Sequence, residues 1–263
     1  MLKKNYLLGV GITNETEDKI LEYVYHELEK ENTKLFLVTP NPEIIVYAQK
    51  HKAYKAMLNK AEVALPDGVG VFLASLLMGA PFKERIPGVD FMEEVCKKCR
   101  TKPLSIGFLG GGPGVAKRTA ECLLQRYPWI KVRWVGEEWE IGVKSSVMKE
   151  NDTKRTGNIS VTAPTISAKD PIDILFVAFG FPKQEEWIYQ NLEKLPVRSA
   201  MGVGGAFDYV SGEVVRAPYI IRAMGFEWLY RLVRQPWRFK RQLALGKFVF
   251  LVIKEVIQNK RSH

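Results

Sequence analysis

The sequence predicts an α/β fold: a Rossmann-like, mostly parallel sheet flanked by helices, followed by a basic, amphipathic helical appendage at the carboxyl end. Three observations lead there. Short apolar runs rich in Val, Ile, Leu and Phe alternate along the chain with longer segments of helical periodicity, which is the pattern of strand–helix–strand units. Five of those runs end directly in polar or glycine-rich stretches: TPNPE at 39–43, PDG at 66–68, GGG at 110–112, GFPKQE at 180–185 and GVGGAFD at 202–208. Nearly all of the net charge of +10 sits in the last fifth, where residues 216–263 hold 11 Lys or Arg against Glu227 and Glu255, a net +9. The expected division is an α/β domain over 1–215 and the appendage over 216–263.

Residues 6–12 (YLLGVGI) read as the first strand. Thr13 or Asn14 is placed to cap the helix that follows, in which Ile20, Leu21, Val24 and Leu28 share a face. KLFLV (34–38) is the next strand. A helix begins within 41–61, with Pro42 suited to its first turn and Glu43 to its positive end. AEVAL (61–65) is a short strand leading into Asp67. Residues 69–78 (VGVFLASLLM) are nearly all apolar and read as a buried helix. After the loop GAPFKERIP comes the helix carrying Cys96 and Cys99. LSIGFL, the glycine loop GGGPG, a helix and IKVRWVG follow. Residues 144–171 are polar, rich in Ser, Thr, Asn and Lys and without periodicity, and read as a long surface loop or partly disordered insertion. IDILFVAF, a helix from Gln184, and VRSAMGV complete the sheet.

Bulk composition fits an ordinary globular protein, with 46% hydrophobic and 26% charged residues in 263. The amino-terminal apolar run lacks a secretory cleavage site, and the uncharged stretch 248–253 is far shorter than the about 20 residues needed to cross a bilayer. The expectation is a cytoplasmic protein. Three cysteines suit a reducing compartment. Cys96 and Cys99 form a C-x-x-C inside a helical pattern, with no second pair and no histidine pair to complete four ligands, so helix packing is the better reading. His26, His51 and His263 form no cluster. No metal and no cofactor is expected.

The tail must answer for its charge. Arg231, Arg234, Arg238 and Arg241 recur at helical spacing, with Phe226, Trp228, Leu229, Leu232, Val233, Trp237 and Phe239 between them. Arginine beside Trp, Phe and Leu is the composition of a helix lying in a membrane interface, attracted by anionic lipid. A nucleic-acid surface more often brings Lys-rich or stacking contexts, and no nucleic-acid partner is expected. The plainer reading is a helix pair packed on the main domain with its arginines solvated. The charge asymmetry favours membrane contact, and both can hold at once.

In an open parallel sheet, loops leaving the carboxyl ends of the strands gather along one edge, where ligands bind. Gly110, Gly111 and Gly112 expose backbone N–H groups ahead of a helix, suited to a phosphate, although glycine also simply permits tight turns. The loop has neither G-x-G-x-x-G spacing nor a Walker Lys-Ser/Thr, which disfavours hydride enzymes and P-loop ATPases. Asp67 is either a general base for an attacking hydroxyl or a cap for the next helix. Arg85 is either a bidentate partner for a pyrophosphate or a surface arginine. Lys183, Gln184 and Glu185 open a helix, where Gln184 suits a sugar hydroxyl or amide. The glycines around Gly204 allow a loop to wrap a ligand. No D-x-D motif follows a strand, so arginine or backbone groups would offset leaving-group charge.

TPNPE, PDGVGV, RIPGVD, FLGG, GFPKQE, GVGGAFDYVSG and RAP…GFEWLYRL…P…R, in this order, resemble the WecG/TagA/CpsF family of bacterial glycosyltransferases over most of residues 5–241. The tail most resembles its teichoic-acid branch. The resemblance implies inverting, metal-free transfer of N-acetylmannosamine from a UDP-sugar donor to the GlcNAc of an undecaprenyl-diphosphate lipid, forming a β-1,4 linkage. It makes Asp67 the base, with Thr39 and Asn41 beside it, and gives diphosphate groups to Arg85 and the tail arginines, notably Arg216. Asp90, Asp208, Arg222 and Arg231 complete the expected substrate-contacting set. The tail would dock on the inner face of the cell membrane. VGEEWEIG and the 144–171 stretch replace a loop and regular helix usual in the family. A sister transferase using the uronic acid form of the sugar, or a non-catalytic lipid- or polyanion-binding protein, are the alternatives, and a homo-oligomer is left open.

Overall fold

A computed structural model of the protein describes residues 2–137, 171–236 and 239–261. The polar insertion expected at 144–171 lies outside them, apart from Pro171. Six parallel strands form the main sheet: β3 (Leu35–Val38), β4 (Val63–Ala64), β5 (Ser105–Gly110), β6 (Lys131–Gly136), β7 (Ile172–Ala178) and β8 (Val197–Gly202), in the spatial order β4-β3-β8-β7-β5-β6. The expected parallel α/β sheet is therefore present. Its central strands are covered on both sides, which is why they read as continuous apolar runs. Along β7, Ile174 and Phe176 point into one core, while Ile172, Leu175 and Val177 point into the other.

One face is covered by α1 (Glu17–Leu28), α5 (Gly88–Lys98), α6 (Val115–Arg126) and α8 (Ala206–Val210), through Ile20, Val24, Phe91, Val95, Leu123 and Phe207. The other is covered by α2 (Pro42–Lys50), α3 (Lys52–Leu58), α7 (Lys183–Asn191) and a terminal helix, through Ile44, Ile45, Leu58 and Ile188. Cys96 and Cys99 are buried in the first core, and the Tyr25 hydroxyl bonds the Val95 carbonyl beside them.

Three expectations need correction. Residues 6–12 are not a single strand: β1 (Lys4–Leu7) and β2 (Val10–Thr13) pair antiparallel as a separate hairpin. Leu8 and Gly9 both take positive φ, 52° and 72°, the backbone of a two-residue type I′ turn, and the chain reverses there. Neither Thr13 nor Asn14 caps α1, whose N-cap is Thr16. Thr13 instead accepts the Ala64 amide at 3.0 Å, and Asn14 accepts the Lys83 amide at 2.8 Å, tying the hairpin to β4 and the loop after α4. Finally, α4 (Val69–Leu77) is buried only through Val71, Ala74 and Ser75. Leu73, Leu76 and Leu77 on its other side are exposed.

After α8 the chain forms α9 (Tyr219–Ala223), α10 (Glu227–Arg234) and α11 (Phe239–Arg261). The first two bury no side chain completely. α11 packs back on α2 and α4, and sinks Phe248 and Val252 into the second core. Phe248→Ala should therefore cost about 3–5 kcal/mol of unfolding free energy in a urea titration. A cost below about 1 kcal/mol, the scale of a surface substitution, would mean that α11 is not docked there.

Candidate active site

The loops leaving β3, β4, β7 and β8 surround a cavity of about 740 Å³, within the range of small-molecule sites. Its walls take seven of the expected residues: Thr39, Asn41, Asp67, Arg85, Gln184, Gly204 and Arg231. The lining also includes an apolar set: Leu73 and Leu77 of α4, Met224 and Phe226 of the α9–α10 turn, and Leu245, Val249 and Ile253 of α11.

Local chemistry explains how each polar group is held. The Asn41 side chain accepts the Ile44 amide at 3.0 Å and caps α2, with Pro42 in the first turn as expected. The Thr39 hydroxyl donates to the Gly202 carbonyl at 3.2 Å, joining the ends of β3 and β8. Asp67 does not cap α4: the N-cap is Gly68 at φ 87°, and no hydrogen bond reaches the Asp67 carboxylate among the described residues. Arg85 is not a loose surface arginine, because its guanidinium donates to the Arg222 carbonyl at 3.1 Å.

Behind the cavity wall, Arg216 is clamped between two carboxylates, Asp90 of α5 at 2.5 Å and Glu227 of α10 at 3.2 Å. Arg222 stands 3.9 Å from Asp90. Arg231 pairs with Asp208 at 3.3 Å and lies 4.7 Å from the centre of the Tyr209 ring. A Cβ on Gly205 would come within 2.6 Å of the Arg231 guanidinium, so this glycine makes room for the arginine. Arg216 Nη2 and Arg222 Nε are buried without a hydrogen-bond partner among the described residues.

Other expected contacts are placed differently. Gly110, Gly111 and Gly112, all at positive φ, end β5 beside β7 and do not line this cavity. They lie at the crevice where the connections leaving β5 and β7 run in opposite directions across the sheet. The amide of Gly114 in that loop donates to Glu137 at 2.6 Å. Lys183 is exposed and does not line the cavity. Asp90, Asp208, Arg216 and Arg222 stand behind the wall rather than in it. Glu185 is fully buried, accepting hydrogen bonds from Tyr54 at 3.1 Å and Gln184 at 2.7 Å. Gln184 in turn accepts the Gly204 amide at 2.9 Å, so the pair acts as an internal strut that shapes the loop after β8. Sequence reasoning passed over Tyr209, Phe181 and Glu227, which also line the cavity. The one available signal for Glu227 was a lone acidic residue in a strongly basic stretch.

The chain matches the Glycosyl transferase WecG/TagA/CpsF family over residues 5–262. It belongs to that family. Among its relatives, a Bacillus spizizenii protein is 34% identical over 233 residues, covering 89% of this chain and 84% of its own length. A Staphylococcus aureus protein is 33% identical over 249 residues, covering 94% and 91%. Both bear the name N-acetylglucosaminyldiphosphoundecaprenol N-acetyl-beta-D-mannosaminyltransferase.

In this glycosyltransferase, burial pushes the Asp67 carboxyl up to about 7; Glu227 and Asp90 add to the rise, and Arg85 and Arg216 oppose it. Burial lifts Glu185 to about 7 as well, against its hydrogen bonds. Because the folded value for Asp67 lies above its ordinary 3.8, the folded protein keeps a proton that the unfolded chain has lost between about pH 4 and 7. Ionisation of this group therefore erodes stability as pH rises through that window. Asp67→Asn, uncharged throughout, should raise the melting temperature at about pH 8 and leave it unchanged near pH 4. Equal melting temperatures at both pH values would show that Asp67 is not held in a desolvating site.

Proposed function

We propose that this chain transfers N-acetylmannosamine from UDP-N-acetylmannosamine to the GlcNAc of an undecaprenyl-diphosphate lipid, inverting the anomeric centre to give a β-1,4 linkage. The observation that carries the reading is one cavity lined both by polar groups, Asp67 and Arg85 among them, and by apolar side chains of α4, the α9–α10 turn and α11. An acceptor with a sugar diphosphate head and a polyprenyl tail needs both kinds of lining. The names of the relatives supply the transferred sugar and the acceptor.

In this reading Asp67 takes the proton of the acceptor hydroxyl as that oxygen forms its bond to the anomeric carbon of the donor sugar. The bond from that carbon to the UDP diphosphate breaks, and its electron pair leaves on the phosphate oxygen. A base near 7 is well matched to work at neutral pH, since it is substantially ionised there and still basic enough to accept a proton. Gly110, Gly111 and Gly112 at the crevice between β5 and β7 suit the donor diphosphate. Arg85, which lines the cavity, suits the phosphates of the acceptor.

The elements that line the cavity also carry exposed apolar side chains: Leu76 of α4, Val249, Phe250 and Ile253 of α11, Ile220 of α9, Met224 in the α9–α10 turn and Val233 of α10. No helix among the described residues is long and apolar enough to cross a membrane. We read this surface, with its arginines, as the part that rests on the anionic inner leaflet and gives the lipid a path to Asp67.

Purified protein with UDP-N-acetylmannosamine, a short-chain lipid-diphosphate-GlcNAc and EDTA should release UDP and form the disaccharide lipid. Success only with the uronic acid donor would move the chain to the sister activity, and failure with both would refute the reading. Asp67→Asn should lower turnover on the order of 10²-fold or more, the usual contribution of a general base, with donor binding retained. Phe250→Asp or Ile220→Asp should reduce co-sedimentation with anionic vesicles while leaving the melting temperature in place. Unchanged vesicle binding would show that this face is not the docking surface.

A further inference from the structure

We propose that Glu227 is a positioning residue for the Asp67 base, installed by the carboxy-terminal segment: it walls the same cavity as Asp67 and holds Arg216 against Asp90, so that this guanidinium is not free to pair with Asp67. The inference rests on the reading of Asp67 as the base. It assigns the tail a part in the chemistry of proton transfer beyond binding of phosphates or lipid.

Three positive and three negative side chains meet at this wall. Asp67 comes from the loop after β4, Asp90 from α5 and Glu227 from α10. Arg85 comes from the loop before α5, Arg216 from the segment after α8 and Arg222 from α9. A carboxylate surrounded by uncompensated arginines is a poor base, because nearby positive charge stabilises its ionised form. Here Arg216 is committed elsewhere, with Asp90 at 2.5 Å and Glu227 at 3.2 Å. Arg222 is 3.9 Å from Asp90, and Arg85 is turned to the Arg222 carbonyl at 3.1 Å. Glu227 thus acts twice on Asp67, through its own negative charge and by pairing with Arg216, a tail arginine whose charge reaches Asp67. Both actions favour the protonated form of Asp67 and so strengthen it as a base, in the direction given by its neighbours: Glu227 and Asp90 upward, Arg85 and Arg216 downward.

Geometry makes Glu227 dependent on the tail being docked. It is the first residue of α10, whose other charged residues, Arg231 and Arg234, are both basic. The Glu227–Arg216 bond closes the loop from 216 to 227, and the bond from Arg216 to Asp90 ties that loop to α5. A tail lifted off the domain would take Glu227 and Arg216 away together, leaving Asp67 with Arg85 as its remaining cationic neighbour and no Glu227 to oppose it.

The test is the pH dependence of kcat/KM for the full-length enzyme with UDP-N-acetylmannosamine and the lipid-diphosphate-GlcNAc acceptor. Wild type should lose activity on the acid side with a midpoint near 7, the value of Asp67. Glu227→Gln should move that midpoint down by on the order of one pH unit, and Glu227→Asp, which keeps the charge, should leave it near the wild-type position even if the rate falls. Arg216→Gln, which removes the opposing charge, should move it up, and serves where the Gln variant of Glu227 does not fold. A lower rate with an unmoved midpoint in Glu227→Gln, or in Arg216→Gln, would overturn the proposal and leave Glu227 a structural prop. Asp67→Asn separates the two claims. If it abolishes turnover while the midpoints stay fixed, only the role of Glu227 falls; if it retains turnover, the base assignment falls and this inference with it.

Discussion

Arg216 joins parts of the chain that are far apart in sequence. Its guanidinium reaches Asp90 on α5 and Glu227 on α10, with the ring of Tyr209 on α8 5.9 Å away, so one side chain joins the tail to two helices of the α/β domain. Ion pairs of this kind are costly to assemble, because each charge must leave water, and losing one partner strands the other. That asymmetry is what makes the arrangement specific. With all members present the charges balance; with the tail absent, the face around Asp67 loses a cation and an anion at once.

The sheet sets the stage for this. Parallel strands of different lengths end at nearly the same edge, so the two-residue β4 delivers Asp67 to the cavity shared with Thr39, just past β3, and the loop after β8. Beneath the loop, the Tyr54–Glu185–Gln184–Gly204 chain of hydrogen bonds holds its shape from inside the core. Above it, α11 is anchored by Phe248 and Val252 while its neighbouring residues stay exposed. A helix used in this way contributes to folding with one side and presents apolar surface with another. Both α4 and α11 line the cavity because the two helices meet beside it.

Much of this was legible in the sequence, and the parts that were not have physical reasons. The strands announced themselves as unbroken apolar runs; the polar loops at their ends gave Thr39, Asn41, Asp67, Gln184 and Gly204, while Arg85 came from the RIPGVD loop and Arg231 from the arginines of the tail. The opening hairpin was hidden because Leu8 is an unusual residue for positive φ, so YLLGVGI reads as one strand. The exposed side of α4 was hidden because composition alone reports apolarity and says nothing about what covers it. Glu185 looked like a ligand contact because its burial under Tyr54 depends on a helix more than a hundred residues earlier. Glu227 was invisible for a related reason: its importance lies in a through-space pairing with Arg216, and in the sequence it is a single acid diluted by arginines. The glycine loop was read correctly as backbone geometry, yet the sequence could not say that it opens at the β5–β7 crevice, outside the main cavity.

Asp67, half-buried in the cavity wall, owes its raised carboxyl to burial and to charges that the tail helps to set. Carbon-13 NMR titration of the aspartate carboxyls in the full-length protein, with Asp67→Asn used to assign the resonance, tests it most directly. A midpoint near 7 for Asp67 is the predicted result. A midpoint close to the ordinary value of 3.8 would contradict the claim and leave Asp67 as a solvated loop carboxylate with no special fitness for proton transfer.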